Sequence, residues 1–361
     1  MKAELTATDQ AHLRRALELA EGGRGRVSPN PLVGAVIVRD GGVIGEGFHA
    51  KLGGLHAERA ALEDCRRRGE DPAGATMYVT LEPCAHQGRQ PPCVEAILEA
   101  GIARVVIASD DPSEKAAGRG PGILRDGGVE VAFASGAEAT AARRLNQPFR
   151  KHARTGLPLV VLKMAMSLDG QTATAPGDSP WISGPESRDL VHRWRAEHDA
   201  IAVGIGTALA DDPLLTARIE GARQPKRVVF DSQARLPLQS QLLSTLDQAP
   251  VLIITAPNAP ADRVAALNAA GAETIVATDL EAALRELGRR EVTSLFLEGG
   301  RTLASGFVAA GQIDESRTFI APMLLGGSEK GSDGSARVVA LEGTTGQVGD
   351  DILVRARLKE W

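Results

Sequence analysis

Apolar and polar residues recur at two different spacings along this chain, and these spacings predict its helices and strands. A helical spacing of apolar residues predicts a helix over residues 8–21, which Gly22 ends. Two valine-rich runs on either side of Asp40-Gly41-Gly42 predict a hairpin of strands 33–39 and 43–47. The same criteria predict helices over residues 56–68, 93–100 and 136–145, and strands over residues 76–81 and 104–109. This alternation indicates an α/β/α sandwich for the first part of the chain.

The second half of the chain continues the alternation. Ser183-Gly184-Pro185 is a start signal for a helix that reaches His198. A short basic segment, residues 151–156, is predicted to link two domains, residues 1–150 and 151–361. The glycine-rich residues 118–122 are predicted to be a loop, and residues 331–349 show no pattern. Apolar runs predict strands over residues 159–166, 200–205, 226–230, 251–255, 274–277 and 294–297.

Length, charge and cysteine content narrow the class of protein. A chain of 361 residues exceeds the usual single core, so two domains are expected. The net charge of −5 argues against a general nucleic-acid binder, and no apolar run is long enough for a membrane span. Three cysteines without a disulfide pattern indicate a reducing compartment, and the polar amino-terminal stretch lacks a signal-peptide pattern. We therefore expect a cytoplasmic protein with neither a nucleic-acid nor a membrane partner.

Residues 56–93 contain the clearest candidate for chemistry. His56-Ala57-Glu58 is followed by Cys84 and Cys93. One imidazole and two thiolates form the ligand set of a catalytic zinc whose fourth position holds water. A glutamate beside such a site moves protons to and from that water in zinc nucleobase deaminases. We predict one Zn²⁺ per chain, held by His56, Cys84 and Cys93, with Glu58 as catalytic acid and base. The alternative is a structural zinc with His86 as a fourth ligand.

The spacing of the two cysteines points to a particular family. Eight residues separate Cys84 from Cys93, whereas the common deaminase signature has two. This stretch, with Pro29-Asn30-Pro31-Leu32-Val33-Gly34 and Gly47-Phe48-His49, resembles the deaminase half of the bifunctional riboflavin-biosynthesis deaminase–reductases. The resemblance implies substrate contacts by Asn30, His49, His86 and Arg89. The alternatives are that Asn30 is an ordinary turn residue and that Arg89 is a solvated loop charge.

The second half lacks the G-x-G-x-x-G pattern of a Rossmann domain. It resembles instead the reductase half of the same family, whose fold is similar to that of dihydrofolate reductase. The matching pieces are Lys163 with Ser167-Leu168-Asp169-Gly170, residues 203–218, Asp231-Ser232 and Glu298-Gly299-Gly300. The resemblance implies NADPH contacts by Met166, Trp181, Thr207, Asp211, Ser232, Gly299, Gly300, Arg301 and Thr302. It implies substrate contacts by Ser179, Arg195, Leu215, Arg218 and Glu298.

The residue types themselves agree with parts of this assignment. Two glycines that open a helix let a pyrophosphate approach the backbone, and two arginines suit a phosphate monoester. Lys163, Asp211 and Glu298 are candidates for proton handling during the reduction. The alternatives are an ordinary turn for the glycine pair and, for Lys163, a charge that protects a sheet edge.

The predicted fold is therefore a cytidine-deaminase-like α/β/α sandwich followed by a dihydrofolate-reductase-like α/β domain. The resemblance implies deamination of 2,5-diamino-6-ribosylamino-4(3H)-pyrimidinone 5′-phosphate, followed by NADPH reduction of its ribosyl group to a ribityl chain. It also implies a phosphorylated pyrimidine as the small-molecule partner, and we expect a homo-oligomer. Two rivals stay open: a deaminase of guanine or tRNA adenosine fused to a nucleotide-binding domain, and a structural-zinc protein that binds nucleotide.

Overall fold

The computed structural model describes residues 5–87, 90–114, 116, 118–172, 181–326 and 342–361. The chain divides into two compact units. The first unit comprises the residues up to Gly156 together with Trp361, and the second comprises Leu157–Glu360. Within the part of the chain that the structure describes, no helix is both long and apolar enough to cross a membrane.

A five-stranded sheet with the order β2-β1-β3-β4-β5 forms the centre of the first unit, as far as the described residues go. The hairpin pairs β1 with β2 in antiparallel orientation, β1 is also antiparallel to β3, and β3, β4 and β5 run parallel. The strands are β1 Gly34–Arg39, β2 Gly42–Phe48, β3 Thr76–Val79, β4 Arg104–Ile107 and β5 Glu130–Phe133. The predicted hairpin is therefore confirmed, and β5 was missed.

Helices cover both faces of this sheet, which gives the predicted three-layer α/β/α sandwich. The helices are α1 Ala7–Glu21, α2 Ala57–Arg68, α3 Cys93–Glu99, α4 Arg119–Asp126, α5 Ala137–Leu145 and α6 Gln147–Thr155. One core contains Leu62 of α2 and Ile97 of α3, and the core on the other face contains Leu13 of α1 and Ala142 of α5. Thr6 caps α1, and its hydroxyl accepts a hydrogen bond from the Asp9 amide at 3.1 Å.

Two predictions for the first unit were wrong. Residues 118–122 are not a loop, because Gly118 is the N-cap of α4 and a side chain at Gly120 would collide with the Pro83 carbonyl. The basic segment 151–156 is not a linker, because residues up to Thr155 complete α6. Arg150 is 1% exposed there, and it donates to the Asp110 carbonyl and the Trp361 carbonyl at 2.8 Å each. Since neighbouring carbonyls satisfy this charge, its presence does not indicate exposure.

The second unit is built on a nine-stranded sheet within the described residues, in the order β10-β9-β8-β7-β11-β6-β12-β14-β13. From β10 to β12 neighbouring strands run parallel, whereas β14 is antiparallel to β12 and β13. The parallel strands are β6 Leu159–Ser167, β7 Ala200–Gly204, β8 Lys226–Phe230, β9 Val251–Thr255, β10 Glu273–Val276, β11 Ser294–Glu298 and β12 Glu315–Ala321. The other two are β13 Glu342–Val348 and β14 Asp351–Arg357.

The six strands predicted for this half, β6 to β11, are confirmed to within two residues at each end. The helices of this unit are α7 Pro185–Glu197, α8 Ile205–Asp211, α9 Gln241–Ser244, α10 Ala261–Ala269, α11 Leu280–Arg289 and α12 Arg301–Ala309. Strands β12, β13 and β14 were missed, and β13 lies in the segment that showed no pattern. Because β6 has β11 on one side and β12 on the other, Lys163 does not lie at a sheet edge, and the edge-charge alternative is wrong.

Candidate active sites

Two helix starts and one strand end bring the predicted zinc ligands together. His56 is the N-cap of α2, Cys93 is the first residue of α3, and Cys84 follows β3. The Nδ1 atom of His56 lies 3.6 Å from the Cys84 sulfur and 3.4 Å from the Cys93 sulfur. Their ligand atoms all lie within 4.8 Å of one another. Helix α2 reaches this position because Gly47 of β2 lets its backbone pack directly on the strand.

This cluster fits a zinc ion. The three donors are those of a catalytic zinc, and among the described residues no fourth His, Cys or carboxylate joins the group. Hydrogen bonds from the Cys93 thiol and from His56 lower the pKa of Cys84 to about 4, so a thiolate is present at neutral pH. His86, the alternative fourth ligand, lies outside the cluster, and its Nδ1 atom is buried without a partner among the described residues.

Glu58 lies in the first turn of α2, beside this cluster, and is 4% exposed. Burial raises the pKa of Glu58 to about 7, and the negative charge at Cys84 adds to the shift. A carboxyl group with a pKa near neutrality exchanges protons readily in both directions, as a general acid and base must. Burial beside the cluster therefore gives Glu58 a pKa near neutrality, which suits the acid–base role predicted from the motif.

Asn30 and His49 form a linked pair in the same unit. The Nδ1–H of His49 donates to the Leu55 carbonyl at 2.9 Å, which leaves Nε2 to accept from the Asn30 amide nitrogen at 3.1 Å. Burial lowers the pKa of His49, which is consistent with this neutral tautomer. Both ring nitrogens are thus engaged with the protein, and His49 orients the Asn30 amide. Arg89, the other predicted substrate contact, lies outside the described residues.

In the second unit, charged residues meet where the carboxyl end of β11 pairs with the middle of β6. Arg195 of α7 binds the Glu298 carboxylate with two hydrogen bonds, from Nε at 2.6 Å and from Nη2 at 3.0 Å. Lys163 is in register with Glu298 on the neighbouring strand. Burial alone would raise the pKa of Glu298, but the charge and hydrogen bonds of Arg195, together with the charge of Lys163, outweigh it and the pKa is lowered. Burial lowers the pKa of Lys163, and Glu298 opposes that shift.

The glycine pair Gly299-Gly300, called the glycine cradle below, follows β11 and opens α12. Gly299 has a φ of 155°, in the range that favours glycine, and Gly300 is the N-cap of α12 without a side-chain cap. The Gly300 amide donates to the Thr207 hydroxyl of α8 at 3.0 Å. Gly299, Gly300 and Arg301 are exposed at the start of this nine-residue helix, where a pyrophosphate binds favourably, so these residues fit NADPH.

Comparison with known proteins identifies both units. Residues 158–349 match the family model of the RibD C-terminal domain, and residues 6–109 match the zinc-binding region of cytidine and deoxycytidylate deaminases. The riboflavin biosynthesis protein RibD of Actinobacillus pleuropneumoniae is 40% identical, over 97% of this chain and 95% of that protein. The chain belongs to the RibD family.

Solved RibD structures have the same fold over nearly their whole length. RibD of Acinetobacter baumannii superposes with a TM-score of 0.85 at 38% identity, covering 98% of this chain and 99% of that one. A Thermotoga maritima protein described as a diaminohydroxyphosphoribosylaminopyrimidine deaminase/5-amino-6-(5-phosphoribosylamino)uracil reductase gives 0.86 at 35%, with the same two coverages. The chain is thus a RibD-family deaminase–reductase of riboflavin biosynthesis that uses zinc and NADPH, and the two rival interpretations are not favoured.

The remaining predicted reductase residues that the structure describes differ in position and in exposure. Asp211 ends α8 and is exposed, as is Ser232 just after β8. The other positions are Leu215, which is buried with a φ of 53°, Arg218, which is exposed with a φ of 48°, and Met166, which is half-buried in β6. Trp181 is 56% exposed and packs against the Arg188 guanidinium, whereas Ser179 lies outside the described residues.

The sequence analysis missed His192, which lies one turn before Arg195 on α7. Its Nδ1 atom is buried without a hydrogen-bond partner among the described residues. Burial and the charges of Arg195 and Arg218 lower the pKa of His192. Its spacing from Arg195 could have indicated it, because residues three apart on a helix share a face.

Proposed function

We propose that the first unit of this RibD-family chain deaminates 2,5-diamino-6-ribosylamino-4(3H)-pyrimidinone 5′-phosphate and that the second unit reduces the product with NADPH. The observation that carries the proposal is the convergence of His56, Cys84 and Cys93 beside the buried Glu58. The Thermotoga maritima relative is described by the same two activities. The residue roles given below belong to this proposal.

In the deaminase site, His56, Cys84 and Cys93 hold the zinc. A bound zinc ion lowers the pKa of water at its open position and so provides a nucleophile near neutral pH. The Glu58 carboxylate would accept one proton from that water and pass it to the ring nitrogen, and would then take the proton of the hydroxyl group added to the ring carbon and deliver it to the departing amine. Asn30, oriented by His49, supplies a directed amide to the pyrimidine.

In the reductase site, the backbone of Gly299 and Gly300 at the start of α12 would hold the pyrophosphate of NADPH. When bound there, NADPH would supply the hydride for reduction of the sugar's first carbon. Lys163 donates the accompanying proton, because its pKa is lowered, whereas Glu298 is ionised in its pair with Arg195. Arg218 offers its exposed guanidinium to the substrate phosphate.

The exposed position of Asp211 suits contact with the cofactor better than proton transfer. Three wider expectations belong to the proposal as well: a cytoplasmic location, a homo-oligomeric state and no nucleic-acid partner. The low cysteine content and the net charge of −5 support the first and the last.

The deciding experiment follows ammonia release and NADPH oxidation separately on one preparation of the protein. With the diaminopyrimidine phosphate we expect ammonia first and NADPH oxidation after it. With the already deaminated compound we expect NADPH oxidation alone. Ammonia release without NADPH oxidation on either compound contradicts the reductase assignment, and oxidation restricted to the deaminated compound contradicts the deaminase assignment.

A further inference from the structure

The loop that follows β8 is held rigidly by a buried carboxylate. Asp231 is 0% exposed, and its Oδ2 atom accepts hydrogen bonds from the backbone amides of Arg235 and Leu236, the latter at 2.9 Å. The Ala234 amide closes the turn on the Asp231 carbonyl at 3.1 Å. The backbone of Arg235 is therefore fixed relative to the end of the strand.

The side chain of Arg235 folds back over this turn. Its Nε atom lies 3.7 Å from Asp231 Oδ1, which is too long for a hydrogen bond but close enough to orient the charge. The side chain is 49% exposed, and within the described part of the chain its guanidinium makes no hydrogen bond. Asp231 Oδ1 itself has no hydrogen-bond partner there. A pre-oriented guanidinium with open donors is thus presented at the end of β8.

This guanidinium lies along the same sheet edge as the glycine cradle. Parallel strands β11, β7 and β8 are neighbours in that order, and Gly204 at the end of β7 is in register with Phe230 of β8. A Cβ on Gly299 would lie 3.6 Å from the Gly204 amide nitrogen, so the cradle adjoins the end of β7. Two strand spacings, roughly 10 Å, therefore separate the cradle's strand from the strand of Arg235.

The direction of a dinucleotide across this edge follows from the two ends of its site. In the proposed reductase site the nicotinamide must lie near Lys163 and Glu298, on β6 and β11, and the pyrophosphate at Gly299 and Gly300. The rest of the molecule must then continue away from β6, over the ends of β7 and β8. Its adenosine half thus arrives beside Ser232 and Arg235.

NADPH differs from NADH by one phosphate monoester on the adenosine ribose, which carries close to two negative charges. Such a group favours a planar guanidinium, which can donate two parallel hydrogen bonds, together with a hydroxyl donor. We propose that Arg235, with Ser232 beside it, binds the 2′-phosphate of NADPH and makes the reductase select NADPH over NADH. This inference rests on the proposed reductase function and assigns a specificity role to a residue outside the predicted set.

Arg301 is the competing cation, because it is the first residue of α12 and lies next to the glycine cradle. A charge there meets the pyrophosphate, which NADPH and NADH share, and so does not separate the two cofactors. Arg289 provides a matched control. It is an exposed arginine of the same unit, paired with Glu286, and it ends α11 on the opposite edge, where β11 begins.

The test measures binding of two adenosine fragments, 2′,5′-ADP and 5′-AMP, by titration calorimetry. Arg235→Ala should lower the affinity for 2′,5′-ADP by roughly tenfold to a hundredfold, which is the usual contribution of a hydrogen bond to a charged group. The affinity for 5′-AMP should stay the same. Arg235→Lys should recover part of the loss, and Arg289→Ala should change neither affinity. In turnover, the KM for NADPH should rise in Arg235→Ala while the KM for NADH stays level.

Equal weakening of both fragments would show a general contribution to the site and overturn the proposal. So would an unchanged 2′,5′-ADP affinity in Arg235→Ala, or a selective loss in Arg301→Ala with none in Arg235→Ala. Circular dichroism of each variant identifies one that has failed to fold, in which case Arg235→Lys decides. Failure of the proposed function would give a different result. The wild-type protein would then not oxidise NADPH in the presence of the deaminated pyrimidine, whatever its affinities for the two fragments.

Discussion

The two active sites of this chain are assembled in opposite ways. The zinc cluster and Glu58 come from residues 56–93, a short piece of chain in which two helices start and one strand ends. The proposed reductase site draws on the middle of β6, on the ends of β7, β8 and β11 and on α7 and α12, so its residues are spread from Lys163 to Thr302. One site is local in sequence, and the other exists only after the sheet has formed.

The two sites therefore have different requirements for their formation. The zinc site requires three donors at fixed spacing, which the starts of α2 and α3 and the segment after β3 supply. The reductase site requires correct strand order, because Lys163 meets Glu298 only through the pairing of β6 with β11. Substitutions in the zinc site should therefore act on one reaction, whereas substitutions in the reductase site should also affect stability.

The largest expected effect is loss of the metal. Cys84→Ala removes one of three ligands and should abolish both zinc binding and ammonia release, while reduction of the already deaminated compound continues. Zinc content by elemental analysis and the two assays measure this outcome. Cys65→Ala is the matched control, because Cys65 is a buried thiol on α2 outside the cluster. Retained zinc in Cys84→Ala would place the metal elsewhere.

Removal of the proposed proton carrier should have the next largest effect. Glu58→Gln keeps the size of the side chain but cannot take a proton, so zinc should remain while deamination falls by about 10²–10⁴-fold. Glu63→Gln, an exposed position on the same helix, is the control and should leave ammonia release unchanged. Zinc content and initial rates are the measurements. Near-normal deamination by Glu58→Gln would assign the proton transfer to another residue.

How much the sequence could predict follows the same division. His56, Cys84, Cys93 and Glu58 were predictable from residue type and spacing, and the structure brings them together. The pairing of Arg195 with Glu298 was not, because they lie far apart in the sequence and meet only in the folded sheet. Both had been predicted separately as substrate contacts.

The missed secondary structure has the same cause. In β13 the sequence Glu-Gly-Thr-Thr-Gly-Gln-Val has low strand propensity, and this strand forms because β14 pairs with it along its whole length. The basic residues 151–156 were predicted to form a linker, yet residues 151–155 complete α6, in which Arg150 is buried because the Asp110 and Trp361 carbonyls accept its hydrogen bonds. In both cases tertiary contacts override the local signal.

The buried ion pair of the reductase site should support stability as well as catalysis. The side chains of Arg195 and Glu298 are 15% and 10% exposed, so Arg195→Leu leaves a buried carboxylate without its main partner. The loss of unfolding free energy should be about 3 kcal/mol, the lower end for a broken buried pair, because Lys163 remains nearby. Denaturant unfolding measures it. The double variant Arg195→Leu/Glu298→Gln should recover most of the loss, and no recovery would contradict the pairing argument.

The smallest expected effect is a pH dependence that belongs to the second unit alone. His198 is 5% exposed, its Nδ1–H donates to the Trp194 carbonyl at 2.6 Å, and its ring packs on Phe296. Burial, with a contribution from the Arg317 charge, lowers the pKa of His198 from 6.5 to about 4. Between these values the unfolded chain binds a proton that the folded protein does not, so stability is full above pH 6.5 and falls as the pH is lowered. Since each pH unit in this window is worth about 1.4 kcal/mol, the loss at pH 5 should be about 2 kcal/mol.

His198→Gln removes this titration and keeps a group that can donate to the Trp194 carbonyl. The variant should be less stable than wild type at pH 8, because packing on Phe296 is lost, but the gap should narrow steadily down to pH 5. Urea unfolding of both proteins across this range gives the comparison. Because both carry the same zinc ligands, protonation of those ligands cancels in the difference between them. A difference in unfolding free energy that stays constant with pH would mean that His198 titrates alike in the folded and unfolded chains. The assignment of a buried neutral imidazole would then be wrong.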